Sequence, residues 1–162
     1  GAATAYNGNI KKLIWRLKYR GKTGIAPMLA EILTRYLQTS ALKTDGYVIV
    51  PMPLSQNRAR ERGYNQAALI AKKLSENLKL ALSENSLLRV KDALPQAEAG
   101  SWDERRKNIE GAFTVAPARV MPKNVLLVDD VFTSGATMSE AARVLKAGGV
   151  KRIIGLVVAK AG

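Results

Sequence analysis

Apolar residues in this chain follow two periods. In the first forty positions they recur every three to four residues, as Ile10, Leu13, Ile14 and Leu17, and then as Leu29, Ile32, Leu33, Tyr36 and Leu37. That spacing predicts an amphipathic helix over 9–19 and a second one running to about Thr39. Gly21 to Gly24 separate the two, and Pro27 fits the first turn of the second. Beyond Tyr47 the apolar residues come in short runs. Tyr47 to Val50, Leu87 to Val90, Phe113 to Val115, the run from Val125 to Val128, and Ile153 to Ala159 are predicted strands. Ala67 to Leu80 and Met138 to Lys146 are predicted helices, the latter burying Ala141, Ala142 and Leu145 and stopped by Gly148 and Gly149. Lys91 to Gly100 reads as a loop and Ser101 to Asn108 as a short helix. Gly1 to Thr4 reads as a ragged end. With no internal repeat and no linker, 162 residues predict a single α/β domain over 1–162. Its N-terminal helical segment covers about 6–40 and its sheet core about 45–160.

The densest chemistry follows the fourth strand. Val125 to Val128 run without alternation, as suits a parallel strand buried on both faces. They lead into Asp129 and Asp130, then into Val131-Phe132-Thr133-Ser134-Gly135-Ala136-Thr137. Thr133 to Thr137 can surround a tetrahedral anion with backbone N–H groups and hydroxyls, and Gly135 removes a Cβ that would block close approach. The helix beginning near Thr137 directs its free N–H groups and positive dipole end to the same point. Each dipole interaction is worth only about 0.3–1 kcal/mol, so many donors must act together. Two adjacent carboxylates would repel a phosphate, but they suit sugar hydroxyls or a divalent cation. Because side chains alternate along a strand, both acids are expected to reach one ligand only where the strand ends and turns. A ribose 5-phosphate has the matching layout. The plainer alternative, a buried strand followed by a turn, leaves the paired acids unexplained.

Other phosphate chemistries fit less well. There is no Gly-x-x-x-x-Gly-Lys-Ser/Thr loop and no Gly-x-Gly-x-x-Gly after a strand. The acids are adjacent, whereas a haloacid-dehalogenase-like phosphatase separates them by one residue. Asp45 precedes its strand, which disfavours a receiver domain. The chain has no Cys and no His, so disulfides, thiolate metal sites and the commonest general base are excluded from it. No apolar run approaches the roughly 20 residues of a membrane span, and no signal peptide is visible, so no membrane insertion is expected.

Charge adds a second theme. With 26 basic and 13 acidic residues, the formal charge is +13. Lys11, Lys12, Arg16, Lys18, Arg20 and Lys22 fall in an acid-free stretch. Arg58, Arg60 and Arg62 form a second group, and Arg105, Arg106 and Lys107 a third. A diphosphate ligand accounts for some of them and a nucleic-acid surface for more. A solvated face is the alternative.

The segment from Val125 to Thr137 resembles the phosphoribosyl-diphosphate-binding signature of type I phosphoribosyltransferases. Lys18-Tyr19-x-Gly21, Val50-Pro51-Met52-Pro53-Leu54-Ser55 and Arg58-x-Arg60-x-Arg62-Gly63-Tyr64-Asn65-Gln66 precede it. Gln96, Arg105-x-x-Asn108 and Gly111-Ala112-Phe113 complete the pattern. From about Tyr6 to Ala159 the chain is similar to the competence-protein F family, which includes GntX-like proteins and belongs to the phosphoribosyltransferase superfamily. The resemblance implies a twisted, mainly parallel sheet flanked by helices, with a small N-terminal helical hood. It implies binding of phosphoribosyl diphosphate with Mg2+ and transfer of phosphoribose to an unknown acceptor. A binding module without catalysis, or a single-stranded-DNA-binding accessory of transformation, remains open beside it. Asp129 and Asp130 would take the ribose, and Thr133, Ser134, Gly135, Ala136 and Thr137 the 5-phosphate, Ser134 standing where many members have Thr. Met52, Pro53, Leu54 and Arg62 would contact pyrophosphate, and the two prolines suggest a strained or cis peptide near Met52, although a rigid turn without ligand contact is the alternative. Arg105, on a closing loop from Gln96 to Asn108, joins the acidic pair as a catalytic candidate or lies simply on a helix surface. Lys18 and Tyr19 would belong to the acceptor hood, unless Tyr19 packs in the core. Mg2+ would ride mainly on substrate, with no direct protein ligand. Many members begin with a Cys-rich, zinc-ribbon-like segment; this chain has no Cys, so no zinc is expected in it. A cytoplasmic location and an association with single-stranded DNA or the competence helicase machinery are further expectations of the resemblance, while oligomeric state is left open, a homodimer being the commonest assembly for such folds.

Overall fold

The computed structural model describes residues 1–91, 107–117 and 120–161. Its centre is a four-stranded sheet in the order β1 (Ala2–Ala5), β6 (Arg152–Lys160), β5 (Asn124–Phe132), β2 (Val48–Pro51), every neighbouring pair parallel. A smaller antiparallel pair joins β3 (Leu87–Arg89) to β4 (Phe113–Val115). The helices are α1 (Gly8–Tyr19), α2 (Ala26–Thr39), α3 (Gln56–Arg62), α4 (Gln66–Leu78) and α5 (Ala136–Ala147). This is the expected α/β class with a parallel sheet between helical layers.

Strand alternation divides the core in two. Ile49, Leu126, Val128, Leu156 and Val158 face one side, where they pack with Ile14 and Leu17 of α1, Leu29 and Leu33 of α2, and Ile70 and Leu74 of α4. Val50, Val125 and Leu127 face the other side, against Ala141 and Leu145 of α5 and Leu87 and Phe113 of the small sheet. Each fully buried aliphatic side chain contributes about 1.5–3 kcal/mol, so both layers are firmly held. The N-terminal helices share the core of the sheet, and Asn77 Nδ2 donates to Thr34 Oγ1 at 3.1 Å to tie α4 to α2. On β6, Gly155 leaves room for Met138 of α5, whose sulfur would lie 3.2 Å from a Cβ placed there.

Three expectations are corrected. Gly1 to Thr4 is not a ragged end: Ala2, Thr4 and Ala5 pair with Val157, Ala159 and Lys160, because β6 offers a free parallel edge. The acidic pair does not end its strand. The ladder to β6 continues through Val131–Ala159 and Phe132–Lys160, so Asp129 and Asp130 lie within β5. Among the described residues no peptide is cis, so the backbone at Met52 is trans. The loop at 91–100 and the helix at 101–108 fall almost entirely outside the described residues.

Candidate functional site

The carboxyl ends of β2 and β5 open onto a cleft of about 230 Å³. Its first wall is the loop between β5 and α5, where Thr133, Gly135 and Thr137 line the space. Gly135 sits at φ +79°, and a Cβ there would come within 2.5 Å of the Phe132 ring, so conformation and space both demand glycine. The loop is thereby pressed against Phe132 while α5 directs its first-turn N–H groups toward the cleft. Ser134 and Ala136 do not line the cleft. Ser134 Oγ accepts from the Ala136 N–H at 3.4 Å, and Ala136, the first residue of α5, is buried in the core.

The second wall follows β2. Met52, Pro53, Leu54 and Ser55 all line the cleft. The Met52 N–H donates to the Val128 carbonyl at 2.8 Å, and the Met52 carbonyl accepts from Asn65 Nδ2 at 3.0 Å. Asn65 Oδ1 also caps α4 by accepting from Ala67 N at 2.9 Å, so one side chain fixes both turn and helix. Ser55 caps α3, a helix absent from the sequence expectations. Arg58 of α3 lines the cleft, as does Arg89 of β3.

Arg62 does not line it. One turn beyond Arg58, at the end of α3, its guanidinium lies 5.0 Å from the Tyr19 ring centre and donates to Gln66 Oε1 at 2.9 Å. Its Nε is buried without a hydrogen-bond partner among the described residues. Tyr19 is 56% exposed and also lies outside the cleft. Gln66 and Tyr6 line it, though neither was singled out as a ligand contact from the sequence. Arg105 and Gln96 lie outside the described residues.

The acidic pair forms the floor. By alternation, Asp130 faces the α1 side and Asp129 the α5 side, and both reach the cleft. Asp130 is 2% exposed, and its Oδ2 lies 2.7 Å from Lys18 Nζ. Asp129 Oδ1 accepts from the Asp130 N–H at 2.8 Å. Burial first, and then the neighbouring negative charge of Asp130, push the Asp129 carboxyl up to about 8, with Lys18 opposing the rise. Asp129 itself is half-buried. Among the described residues no group of three or more His, Cys, Asp or Glu could hold a metal ion.

A backbone cradle at a helix start, a neighbouring acidic pair and a proline-bounded turn on the adjacent strand thus share one cleft. The sequence profile of the phosphoribosyl transferase domain matches residues 62–162. The chain belongs to the phosphoribosyl transferase domain family. Within that family it is similar to competence protein F of Haemophilus influenzae, 36% identical over 148 residues, covering 87% of this chain and 63% of that protein. It is also similar to competence protein ComFC of Bacillus subtilis, 30% identical over 140 residues, covering 86% of this chain and 55% of that one. The similarity to the competence-protein F family read from the sequence therefore holds. This phosphoribosyl transferase domain spans between about half and two thirds of the length of those relatives. Among solved structures, glutamine phosphoribosylpyrophosphate amidotransferase from B. subtilis, complexed with ADP and GMP, superposes with a TM-score of 0.50 at 16% identity. That match covers 86% of this chain and 26% of the amidotransferase. It shows the type I phosphoribosyltransferase fold. No helix among the described residues is long and apolar enough to cross a membrane.

The matched profile begins at residue 62, after α1, the β2 turn and Arg58. The signals for the missed residues were weak. Arg58 was one of three evenly spaced arginines, and helical phase alone would have divided Arg58 from Arg60. Arg89 stands alone in a short strand, and only the fold brings it to the cleft.

Proposed function

We propose that the cleft binds phosphoribosyl diphosphate with Mg2+ and transfers phosphoribose to an acceptor nitrogen. One observation carries this reading. The glycine-demanding loop from Thr133 to Thr137 and the acids Asp129 and Asp130 lie on one cleft with the Met52–Ser55 turn. The loop N–H groups and the Thr133 and Thr137 hydroxyls hold the 5-phosphate. Asp129 and Asp130 accept the ribose hydroxyls. The Met52–Ser55 turn and Arg58 hold the diphosphate, a guanidinium being suited to bidentate phosphate contacts.

In the reaction the bond from the anomeric carbon to the diphosphate oxygen breaks, and pyrophosphate leaves with the electron pair. The acceptor nitrogen supplies the new bond. Positive charge develops on the sugar and negative charge on the leaving group, so the chain contributes positioning and fixed charges. No His or Cys is required. The donor set fits a cation carried largely by diphosphate oxygens and water, because the acids number two and are engaged with each other and with Lys18. When bound, Mg2+ would neutralise charge on the diphosphate. Arg105 remains a candidate for completing the diphosphate site.

Calorimetric titration with phosphoribosyl diphosphate and Mg2+ tests the binding. Saturable uptake competed by ribose 5-phosphate is expected, and no uptake overturns the reading. Pyrophosphate release with candidate nucleobases then tests turnover. Its absence across a broad panel would leave a ligand-binding module without catalysis.

A second reading, an accessory that binds single-stranded DNA, is favoured by the outer face of α1. Trp15 is 45% exposed, its ring 6.0 Å from that of Tyr19, with Arg20 5.1 Å from the Trp15 ring centre. Lys11, Lys12 and Arg16 are exposed beside them. Exposed aromatic rings among cations are what base stacking on a strand requires. A salt-dependent gel shift with single-stranded DNA, lost in Trp15→Ala/Tyr19→Ala, supports it; an unchanged shift removes it.

A further inference from the structure

The carboxylate on which the ribose site depends already has a partner. Lys18 Nζ lies 2.7 Å from Asp130 Oδ2, with side-chain exposures of 21% and 3%. Lys18 projects from the last turn of α1, and that helix is firmly fixed. Ile14 and Leu17 are fully buried, and the Tyr64 hydroxyl donates to the Leu17 carbonyl. The ammonium lines the same cleft as the phosphate loop and the Met52–Ser55 turn. A sugar hydroxyl that bonds to Oδ2 competes there with a cation.

Separating a buried ion pair is costly when either charge is left alone. It is far less so when each charge finds a new partner. A ribose with a free anomeric hydroxyl offers donors to Asp130 but nothing anionic to Lys18 beside it. A ribose with a diphosphate on its anomeric carbon offers both, hydroxyls to the carboxylate and phosphate oxygens to the ammonium. We infer that Lys18 determines specificity by exchanging Asp130 for the anomeric diphosphate, so that the cleft takes phosphoribosyl diphosphate in preference to ribose 5-phosphate. This inference rests on the proposed reading of the cleft. Before ligand arrives, Lys18 holds Asp130 in place; afterwards it grips the group that will leave.

The test is calorimetry on the full chain with two probes, phosphoribosyl diphosphate plus Mg2+ and ribose 5-phosphate plus Mg2+. The wild type is expected to prefer the diphosphate by about tenfold or more. In Lys18→Met that preference collapses, because diphosphate binding weakens about tenfold while ribose 5-phosphate binding holds or strengthens. Lys18→Arg keeps most of the preference. Should Lys18→Met fail to fold, Lys18→Gln, which can still donate to Asp130 but carries no charge, gives the same readout. Equal weakening for both probes, no change for either, or a wild type without preference overturns the exchange. A wild type with no saturable diphosphate binding overturns the reading of the cleft instead.

Discussion

At one end of the cleft, Thr133, Gly135 and Thr137 line a wall whose shape the backbone and one obligatory glycine set. At the other end, Lys18, Arg58 and Arg89 arrive from α1, α3 and β3, and side-chain charge sets the character. The first wall is exacting about backbone conformation. The second is set by side-chain charge, because ammonium and guanidinium groups attract an anion whatever the backbone beneath them. On the proposed reading, a site that holds one terminal phosphoryl group and recognises a variable remainder gains from this division of labour.

Asp130→Asn attacks the charged wall and should be the most damaging change. It leaves the Lys18 ammonium without its anion, a loss of about 3 kcal/mol, at the low end for buried pairs because Lys18 keeps some solvent access. Urea unfolding measures it, and a midpoint equal to that of the wild type would show the pair to be idle. Gly135→Ala attacks the backbone wall. A forced φ of +79° and a clash with Phe132 should cost about 1–3 kcal/mol and weaken phosphate binding. Adding Phe132→Leu should recover the steric part and leave the conformational part.

The floor between the walls responds to pH. Asp129 holds its proton more tightly in the folded chain than in the unfolded one, its carboxyl lifted from 3.8 to about 8. Between those values the folded state binds more protons, so stability falls as pH rises from about 4 toward about 8, with a slope of at most about 1.4 kcal/mol per pH unit. Denaturation at stepped pH should show a shallower decline in Asp129→Asn. An identical slope would remove Asp129 as its source. Ser134→Ala should do least, about 0.5 kcal/mol or less, because its side chain lies off the cleft wall. A tenfold loss of phosphate affinity in that variant would blur the contrast between the two walls.

The same contrast explains what could be read in advance. The β5–loop–α5 unit is contiguous, so its residue order displays strand, glycine-bearing loop and helix together. The helical stripes of α1 and α2 were equally plain, with Ile14, Leu17, Leu29 and Leu33 buried where the period puts them. Helix α3 was hidden because Gln56 to Arg62 carries no apolar stripe, although Ser55 and Gly63 bracket it as cap and stop. Strand β1, with only Ala and Thr, is a strand because β6 has an edge to fill. The continuation of β5 through two acids is likewise imposed by its neighbour, against the usual scarcity of Asp in strands. The Lys18–Asp130 pair depends on packing α1 over the sheet, and no local pattern in either segment announces it.

Met138 touches both the cleft and Gly155, so it links the cleft lining to strand β6. A methyl group added at residue 155 would crowd a thioether, the most pliable of apolar side chains, and would be felt as a shifted lining instead of a broken strand. The cavity can thus be re-contoured from underneath, through a position off the cleft wall.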